Sequence, residues 1–250
     1  MAHKAPEVLS TFEAEMEAGR RAQDLANYNG ALLHYLNAES EATGKEELAQ
    51  ARKAIGVSYR QLCVFNDAHL RLLSARETAD MLPRQTFEWR QLLADISYEH
   101  GLLEHDESYW FEANGNLTEA NRALRRAELH FVTAFDHLFF TGDRAATAAA
   151  RSAWGMVKFD RGQRRKGRDF IRRAVLELKL LEVPHPVFAT DSDIRDLRTS
   201  SFARRWILLR SALRGTRKES PGAGQRKYVL AAFFGGNVGY LWLQRRKQVE

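Results

Sequence analysis

The segment AIGVSYRQLCVFNDAHLRLLSA, residues 54–75, carries the residue spacing from which the fold of this chain follows. Ala68 and Ala75 lie seven residues apart with the large Leu72 between them, and Gly56 lies twelve residues before Ala68. Residues three and four apart share one face of a helix, so small side chains at these positions let a neighbouring helix approach closely. The segment therefore predicts two antiparallel helices joined by a short turn.

The same template occurs four times along the chain. Each copy has a small turn residue, a bulky residue two positions later, and then two alanine-like positions seven apart with a large residue between them. The copies are Ala26, Tyr28, Ala31, Tyr35 and Ala38; Cys63, Phe65, Ala68, Leu72 and Ala75; Gly115, Leu117, Ala120, Leu124 and Ala127; and Gly162, Arg164, Gly167, Ile171 and Ala174. A single alanine pair would carry no information, whereas four copies favour a repeat structure.

A small residue also stands twelve positions before the first alanine-like position of each copy. These residues are Gly19, Gly56, Ser108 and Gly155. A glycine inside a helix costs roughly 1 kcal/mol relative to alanine. Three glycines at one offset therefore predict a close helix–helix contact that compensates this cost.

Composition favours an all-α fold. Apolar residues make up 44% of the chain and charged residues 28%, and the strong helix formers alanine, leucine, arginine and glutamate dominate. The five prolines leave two long intervals in which nothing obliges a helix to end. We expect long helices at Phe87–Ala113 and Leu117–Phe140. An ordinary alanine-rich helical bundle is the alternative fold.

The chain resembles the tetratricopeptide repeat family over residues 8–181, and the copy that contains Ile55, Gly56 and Tyr59 matches the family pattern best. The resemblance implies about four antiparallel helix pairs stacked as a right-handed solenoid, closed by a capping helix within residues 182–215. Successive copies lie 37, 52 and 47 residues apart, where the family norm is 34. We therefore expect lengthened helices in the array.

Arrays of this family usually bind an extended peptide along the concave surface formed by the first helix of each pair. The resemblance places nine residues on that surface: Met16, Arg20, Lys53, Val57, Arg60, His105, Tyr109, Ser152 and Met156. Aromatic, methionine and valine side chains would provide the buried contacts, and arginine and lysine would orient the ligand. Lys53 and Arg60 offer positive charge, but the asparagines with which the family clamps chaperone C-termini are missing. We do not expect that ligand.

Charge is divided unevenly along the chain. Residues 1–120 carry 11 Lys/Arg and 20 Asp/Glu, whereas residues 121–250 carry 27 and 12. The densest basic patch consists of Lys158, Arg161, Arg164, Arg165, Lys166, Arg168, Arg172 and Arg173. Such a patch suits an anionic membrane surface or nucleic-acid phosphates, and a solvated helix face explains it equally well. Few aromatic residues lie nearby, so nucleic acid is the weaker candidate partner.

Beyond the repeats we expect a linker over residues 216–227 and an apolar tail with basic flanks over residues 228–250. Tyr228–Leu243 contains no charged residue. Its large side chains, candidates for docking or membrane contact, are Tyr228, Phe233, Phe234, Tyr240 and Trp242. A helix of this length reaches roughly 24 Å, less than about 30 Å of bilayer hydrocarbon. The tail therefore docks on the repeats, lies at a membrane surface, promotes oligomerisation or stays disordered.

No catalytic or phosphate-binding motif occurs in the sequence, so we expect no enzyme activity and no cofactor. His100 and Glu104 lie four residues apart on a predicted helix, but two ligands do not make a metal site. The single cysteine, Cys63, excludes an intrachain disulfide and is expected to be a packed thiol. Because the N-terminus lacks a secretory signal, we expect a cytoplasmic protein, with membrane association through the C-terminus as the alternative.

Three functions fit these features. The first is a non-enzymatic scaffold that binds a peptide or protein segment, of unknown identity, in its concave groove. The second is an adaptor held at an anionic membrane surface by the basic half and the tail. The third is a nucleic-acid-binding helical repeat.

Overall fold

The computed structural model describes residues 10–84 and 86–182, and within them every regular element is an α-helix. The helices are α1 (Thr11–Asp24), α2 (Tyr28–Glu41), α3 (Lys45–Gln61), α4 (Phe65–Asp80), α5 (Phe87–Ala113), α6 (Leu117–Thr141), α7 (Arg144–Asp160) and α8 (Arg164–Leu180). The predicted all-α class is confirmed. The two long helices are confirmed as well, since α5 has the expected limits and α6 ends one residue later than expected.

The predictions for the C-terminal part of the chain fall outside the described residues. Only the first residue of the expected capping helix, residues 182–215, lies within the described range, and the linker and the tail lie beyond it. Among the helices of the described part, none is long and apolar enough to cross a membrane.

The chain divides into two compact units, and the boundary falls between Glu99 and His100, inside the limits of α5. In the first unit α1 packs against α2, α2 against α3, and α3 against α4. In the second unit α6 packs against α7, and α7 against α8. Consecutive helices are thus neighbours in space, as expected where short connections join antiparallel helices.

Two apolar clusters contribute to the core of the described part of the first unit. One surrounds Tyr35 and Ile55, which are almost fully buried among α1, α2 and α3. The other brings Ala49 of α3 and Ala75 of α4 against Ile96 on the N-terminal part of α5. The alanines let α5 approach closely, and the larger side chains fill the remaining space. The first part of α5 is thereby held against the α3–α4 pair.

The two helices of each pair are joined by the same turn. Two residues after the first helix the backbone is left-handed, with φ of 56° at Ala26, 60° at Cys63, 78° at Gly115 and 85° at Gly162. In all four turns that residue donates its N–H to the carbonyl three residues back, and the next residue donates to the carbonyl five back, at 2.8–3.1 Å. This is the Schellman arrangement, which closes a helix C-terminus.

The structure corrects the expectation of a packed thiol, because Cys63 is exposed. The physical reason is its place in the chain. Cys63 occupies the left-handed turn between α3 and α4, and the close contact between these helices is made by residues on either side of the turn. Position in the turn therefore outweighs the usual preference of cysteine for the interior.

The predicted close contact between small and large residues is confirmed in the pairs α1/α2, α3/α4 and α7/α8. At three glycines an added Cβ would lie closer than 3.0 Å to atoms of the partner helix, a separation that real side chains do not adopt. The distances are 2.4 Å from Gly19 to Tyr35, 2.7 Å from Gly56 to Leu72, and 2.9 Å from Gly155 to both Gly167 and Ile171. Each glycine therefore makes room for a specific neighbour.

The pair formed by α5 and α6 has a glycine contact that the sequence analysis missed. Ser108, at the expected position, is buried, and so is Leu124. Seven residues further from the turn on each helix, a Cβ added to Gly101 would lie 2.7 Å from Phe131. A shift of seven residues stays on nearly the same helix face, so the longer helices repeat the small–large contact at a second level.

Candidate binding groove

An open cavity of about 500 Å³ lies in the first unit, between α1, α3 and the N-terminal part of α5. We call this cavity the α1–α3–α5 groove. On each of these helices the lining residues recur every three or four positions, so each helix contributes one stripe. The lining residues are Met16, Arg20, Gln23, Tyr35, Glu46, Gln50, Lys53, Ala54, Val57, Phe87, Glu88, Gln91, Leu92, Asp95 and Glu99.

Four of the nine residues expected on the concave surface line this groove, namely Met16, Arg20, Lys53 and Val57. A fifth, Arg60, lies one turn beyond Val57 and binds Glu99, which lines the groove itself. The expectation required the first helices of successive pairs to face a common space. Within the first unit, α1, α3 and α5 do so.

The floor of the groove is apolar. Met16, Ala54, Val57 and Leu92 line it and are each less than a tenth exposed. At the rim, by contrast, the ring of Phe87 is 56% exposed. A large exposed ring beside an apolar floor is an arrangement from which a binding site gains free energy, because a ligand removes the ring from water while it packs against the floor.

Two ion pairs connect α3 to α5 along the groove. The Nζ atom of Lys53 lies 2.9 Å from Oδ2 of Asp95, and Nη2 of Arg60 lies 3.1 Å from Oε2 of Glu99. The Arg60 side chain is only 11% exposed, so this second pair is screened from solvent and more firmly placed than a surface pair. The two cations expected to orient a ligand are therefore each held by a carboxylate of α5.

The acidic side of this groove was not predicted from the sequence. Glu88, Gln91, Asp95 and Glu99 recur every three or four residues along α5 and form its polar stripe. That spacing was visible in the sequence. It carried no meaning there, because nothing in the sequence placed this face of α5 opposite the cations of α3.

Further polar side chains line the groove. The carboxylate of Glu46 accepts a hydrogen bond from Nε2 of Gln50 at 3.2 Å, and both Glu46 and Glu88 are exposed. Gln91 donates from Nε2 to Asp95 at 3.2 Å, while its buried Oε1 has no hydrogen-bond partner among the described residues. Arg20 donates to Glu17 of its own helix at 3.0 Å. Acceptors thus outnumber available donors in the groove.

Tyr98 lies on α5 next to Glu99. Burial raises the pKa of its phenol to about 12; the Glu99 carboxylate adds to the increase and the Arg60 guanidinium opposes it. The ionised form of Tyr98 is therefore disfavoured in the folded protein, and the phenol remains a neutral part of the packing at ordinary pH.

The other four residues expected on the concave surface belong to the second unit. His105 and Ser152 are buried, while Tyr109 and Met156 are partly exposed. A ring nitrogen of His105 lies 2.9 Å from Oδ2 of Asp160, and the Tyr109 hydroxyl donates to the same oxygen at 2.8 Å. Two side chains of α5 are thereby attached to the end of α7, an arrangement that fits helix packing as well as recognition.

The structure divides the predicted basic patch into two parts. Lys158 and Arg161 both bind Glu128 of α6, which also accepts a hydrogen bond from Nε1 of Trp154 at 3.2 Å. The single carboxylate of Glu128 compensates one of these two positive charges. On α8 the cations of the other part are Arg164, Arg165, Lys166, Arg168, Arg172 and Arg173, and all but the partly buried Arg168 are exposed.

A row of aromatic rings crosses the second unit. Phe139 stacks on Phe135, Phe135 packs against Trp154, and Trp154 packs edge-on against Phe170, so the row links α6, α7 and α8. The Nζ atom of Lys158 lies 4.9 Å from the centre of the Trp154 ring. The row joins the three helices and orients Lys158 by a cation–π contact.

The pair considered for a metal has other partners. Nε of Arg126 donates to Oε1 of Glu104 at 2.7 Å, and the ring of His100 packs against that of His130 with centroids 4.8 Å apart. Glu104 is therefore used in an ion pair between α5 and α6.

Comparison with known proteins assigns no family to the chain: no protein-family model matches it, and no curated protein sequence does either.

Proposed function

We propose that this chain is a non-enzymatic interaction module of the tetratricopeptide kind, whose α1–α3–α5 groove binds an extended peptide or protein segment. The groove itself carries the proposal, since three helices each contribute a stripe around an apolar floor and a polar rim. Its volume falls in the range of roughly 300–1,000 Å³ that is common for ligand sites. Phe87 and the apolar floor would supply affinity, and the polar side chains of the rim would supply orientation.

The shared geometry of the helix pairs supports the tetratricopeptide assignment. Four turns have a left-handed residue at the same position and form the same hydrogen bonds. In three helix pairs a glycine lies against a large residue sixteen positions later. Recurrence of one supersecondary unit is what a stacked repeat array requires. A right-handed solenoid completes the proposal, and the predicted capping helix, residues 182–215, stays a prediction.

A matched pair of exposed phenylalanines tests the groove in the full-length chain. Phe87 is 56% exposed on the rim, and Phe140 is 69% exposed on α6 and is not part of the lining. Peptides are selected from a random phage-displayed library against the full-length protein, and their affinities are measured by fluorescence anisotropy. We expect Phe87→Ala to weaken binding about ten-fold, because aromatic anchors dominate such interfaces. Phe140→Ala should leave the affinity unchanged.

Two results would contradict the proposal. One is equal loss of affinity in the two variants. The other is a selection that yields no peptide bound more tightly to the native chain than to Phe87→Ala.

A second candidate function is attachment to an anionic membrane surface, favoured by the exposed face of α8. That face carries Arg165, Arg172 and Arg173 together with Leu176 and Leu180, and the two leucines are 52% and 80% exposed. A helix that mixes cations with exposed leucines suits the boundary between headgroups and acyl chains. Nucleic-acid binding has only the basic charge in its favour and stays a prediction.

Vesicle flotation tests the membrane candidate with the full-length chain. We expect flotation with vesicles containing a third phosphatidylserine and none with neutral phosphatidylcholine vesicles. Arg172→Glu combined with Arg173→Glu should reduce the bound fraction, and Arg122→Glu combined with Arg125→Glu on α6 is the control of equal charge. Equal loss in both variants, or flotation independent of lipid charge, would reject this candidate.

A further inference from the structure

We infer that the ligand of the α1–α3–α5 groove is a basic segment of a partner protein, in which lysine or arginine side chains flank an apolar one. This inference rests on the proposed function and adds the chemical class of the ligand.

The charges in the groove favour a cationic ligand. The lining contains more acidic than basic side chains, and its two cations, Arg20 and Lys53, already bind carboxylates. Glu46 and Glu88 are exposed on the rim, and neither forms an ion pair with another described residue. A lysine or arginine from a ligand would meet two uncompensated carboxylates there, whereas an acidic segment would be repelled.

The hydrogen-bonding groups point to the same ligand. Carboxylates of Asp95 and Glu99 keep acceptor capacity beyond their single bonds to α3, since each carboxylate has about four lone-pair sites. Oε1 of Gln91 accepts no hydrogen bond from any described residue. A ligand must therefore bring donors, and ammonium, guanidinium and backbone N–H groups are donors without a competing acceptor on the same atom.

The apolar floor of the groove favours a ligand that has an apolar side chain between its cationic ones. Met16, Val57 and Leu92 form an apolar surface at the base of the groove, and Phe87 stands next to Glu88 on the first turn of α5. The ligand's apolar side chain would contact the floor and the Phe87 ring, while an adjacent cation would reach Glu88. Neighbouring residues of one extended segment satisfy both contacts.

Two labelled peptides of about twelve residues, with identical apolar residues and opposite charges, separate the ligand class from the existence of the site. One carries lysine and arginine around phenylalanine and leucine, and the other carries aspartate and glutamate. Affinities for the full-length chain are measured by anisotropy at low and high salt. We expect the basic peptide to bind at least about ten-fold more tightly, with a difference that shrinks as salt rises.

A matched pair of double variants then tests whether the preference for the basic peptide arises in the groove. Glu46→Gln with Glu88→Gln removes the two rim carboxylates, and Glu41→Gln with Glu77→Gln removes two exposed carboxylates outside the groove. We expect the first variant to weaken the basic peptide about five-fold at low salt, from two exposed charge pairs, and the second to have no effect. Thermal unfolding of both variants checks that the fold is retained.

The outcomes separate this inference from the proposed function. If the acidic peptide binds more tightly and Phe87→Ala weakens it, the groove is a binding site and the inference is wrong. If both double variants weaken the basic peptide equally, attraction is unspecific and the inference is wrong. If neither peptide binds in a way that depends on Phe87, both proposals fail.

The chain's own basic tail is the competing occupant. Arg245→Gln, Arg246→Gln and Lys247→Gln are introduced together into the full-length chain. A groove meant for a partner predicts unchanged affinity for the basic peptide. A several-fold increase would mean that the tail already occupies the groove, and it would overturn binding of a partner there.

Discussion

At the scale of single residues, the four turns differ in the residue that occupies their left-handed position. Gly115 and Gly162 occupy this position in two turns, and Ala26 and Cys63 occupy it in the other two. All four residues have a positive φ in the left-handed region. A residue with a Cβ costs roughly 1–2 kcal/mol in the left-handed region, whereas glycine enters it freely. The turn forms in all four cases because its hydrogen bonds satisfy backbone groups at the helix end.

We expect Ala26→Gly and Cys63→Gly to stabilise the protein by about 1 kcal/mol each, because the left-handed backbone would no longer be strained. Ala14→Gly, at an exposed position inside α1, should destabilise it by about 1 kcal/mol. Urea unfolding followed by circular dichroism measures all three. Destabilisation by the turn variants to the same extent as Ala14→Gly would show that the strain is absent.

Tyr98 makes the stability of the protein dependent on alkaline pH. Its pKa is about 12 in the folded chain, above the usual value near 10 that applies to an unfolded one. Between these values the unfolded chain releases the proton and the folded chain retains it. The free energy of unfolding should therefore fall as pH rises from about 10 to about 12, with no contribution from Tyr98 below that window.

Comparison of the native chain with Tyr98→Phe isolates this effect from other groups that titrate in the same range. We expect the loss of stability between about pH 10 and pH 12 to be smaller in the variant, because it has no phenol to ionise. Urea midpoints measured across that range provide the test. An equal loss in both proteins would be inconsistent with a raised pKa at Tyr98.

At the scale of helices, the backbones of α7 and α8 come close to each other at Gly155 and Gly167. Gly167 stands where the other copies of the template have alanine, and its added Cβ would lie 2.5 Å from the backbone oxygen of Gly155 and 2.7 Å from the backbone nitrogen of Phe159. Backbone atoms inside a helix cannot move aside as a side chain can. A methyl group here must push the two helix axes apart.

We expect Gly167→Ala to destabilise the protein by about 2 kcal/mol, through overpacking that exceeds the gain of roughly 1 kcal/mol in helix propensity. Arg173→Ala is the control, because Arg173 is an exposed residue inside the same helix, α8. It should change the free energy of unfolding by less than about 0.5 kcal/mol. A stabilised Gly167→Ala variant would mean that helix propensity, and not packing, determines this position.

At the scale of the whole molecule, the uneven charge distribution has a consequence in solution. The first 120 residues carry more acidic than basic side chains, and the remainder carries the opposite excess. Opposite regions of different molecules attract one another at low ionic strength, and salt screens the attraction over roughly 10 Å at 0.1 M.

We therefore expect the apparent mass, measured by light scattering at a fixed protein concentration, to decrease as salt is raised from about 20 mM to about 300 mM. Glu46→Gln combined with Glu88→Gln should weaken the association at low salt, because it reduces the acidic excess. A mass that is independent of salt would show that the two regions do not attract across molecules.

Much of the fold could be predicted because it depends on short-range spacing. Gly115 and Gly162 indicated their turns, and the wide spacing of the template copies, together with the long intervals without proline, indicated the long α5 and α6. Gly56 and Leu72 lie only sixteen residues apart, so their contact follows once a hairpin is assumed. The contact of Gly101 was not predicted because the template covers only the residues near the turn. Gly101 and Phe131 lie seven residues further from the turn than the template positions of α5 and α6.

The candidate site could be predicted only in part. The expectation that the first helix of each pair lines the concave surface identified Met16, Arg20, Lys53 and Val57. Each of these residues lies on a definite face of its own helix. The partners of the predicted cations could not be found in this way. Asp95 lies 42 residues after Lys53, and Glu99 lies 39 residues after Arg60.

The sequence by itself thus determined which residues form helices, where the chain reverses, and which small residues admit a neighbour. Those properties depend on backbone preferences and on contacts within one hairpin. Only the tertiary structure decided that Lys53 and Arg60 are neutralised by α5, and that Cys63 is exposed in its turn. The sign of a groove's charge depends on how distant helices are registered against each other, and side-chain packing across the core sets that register.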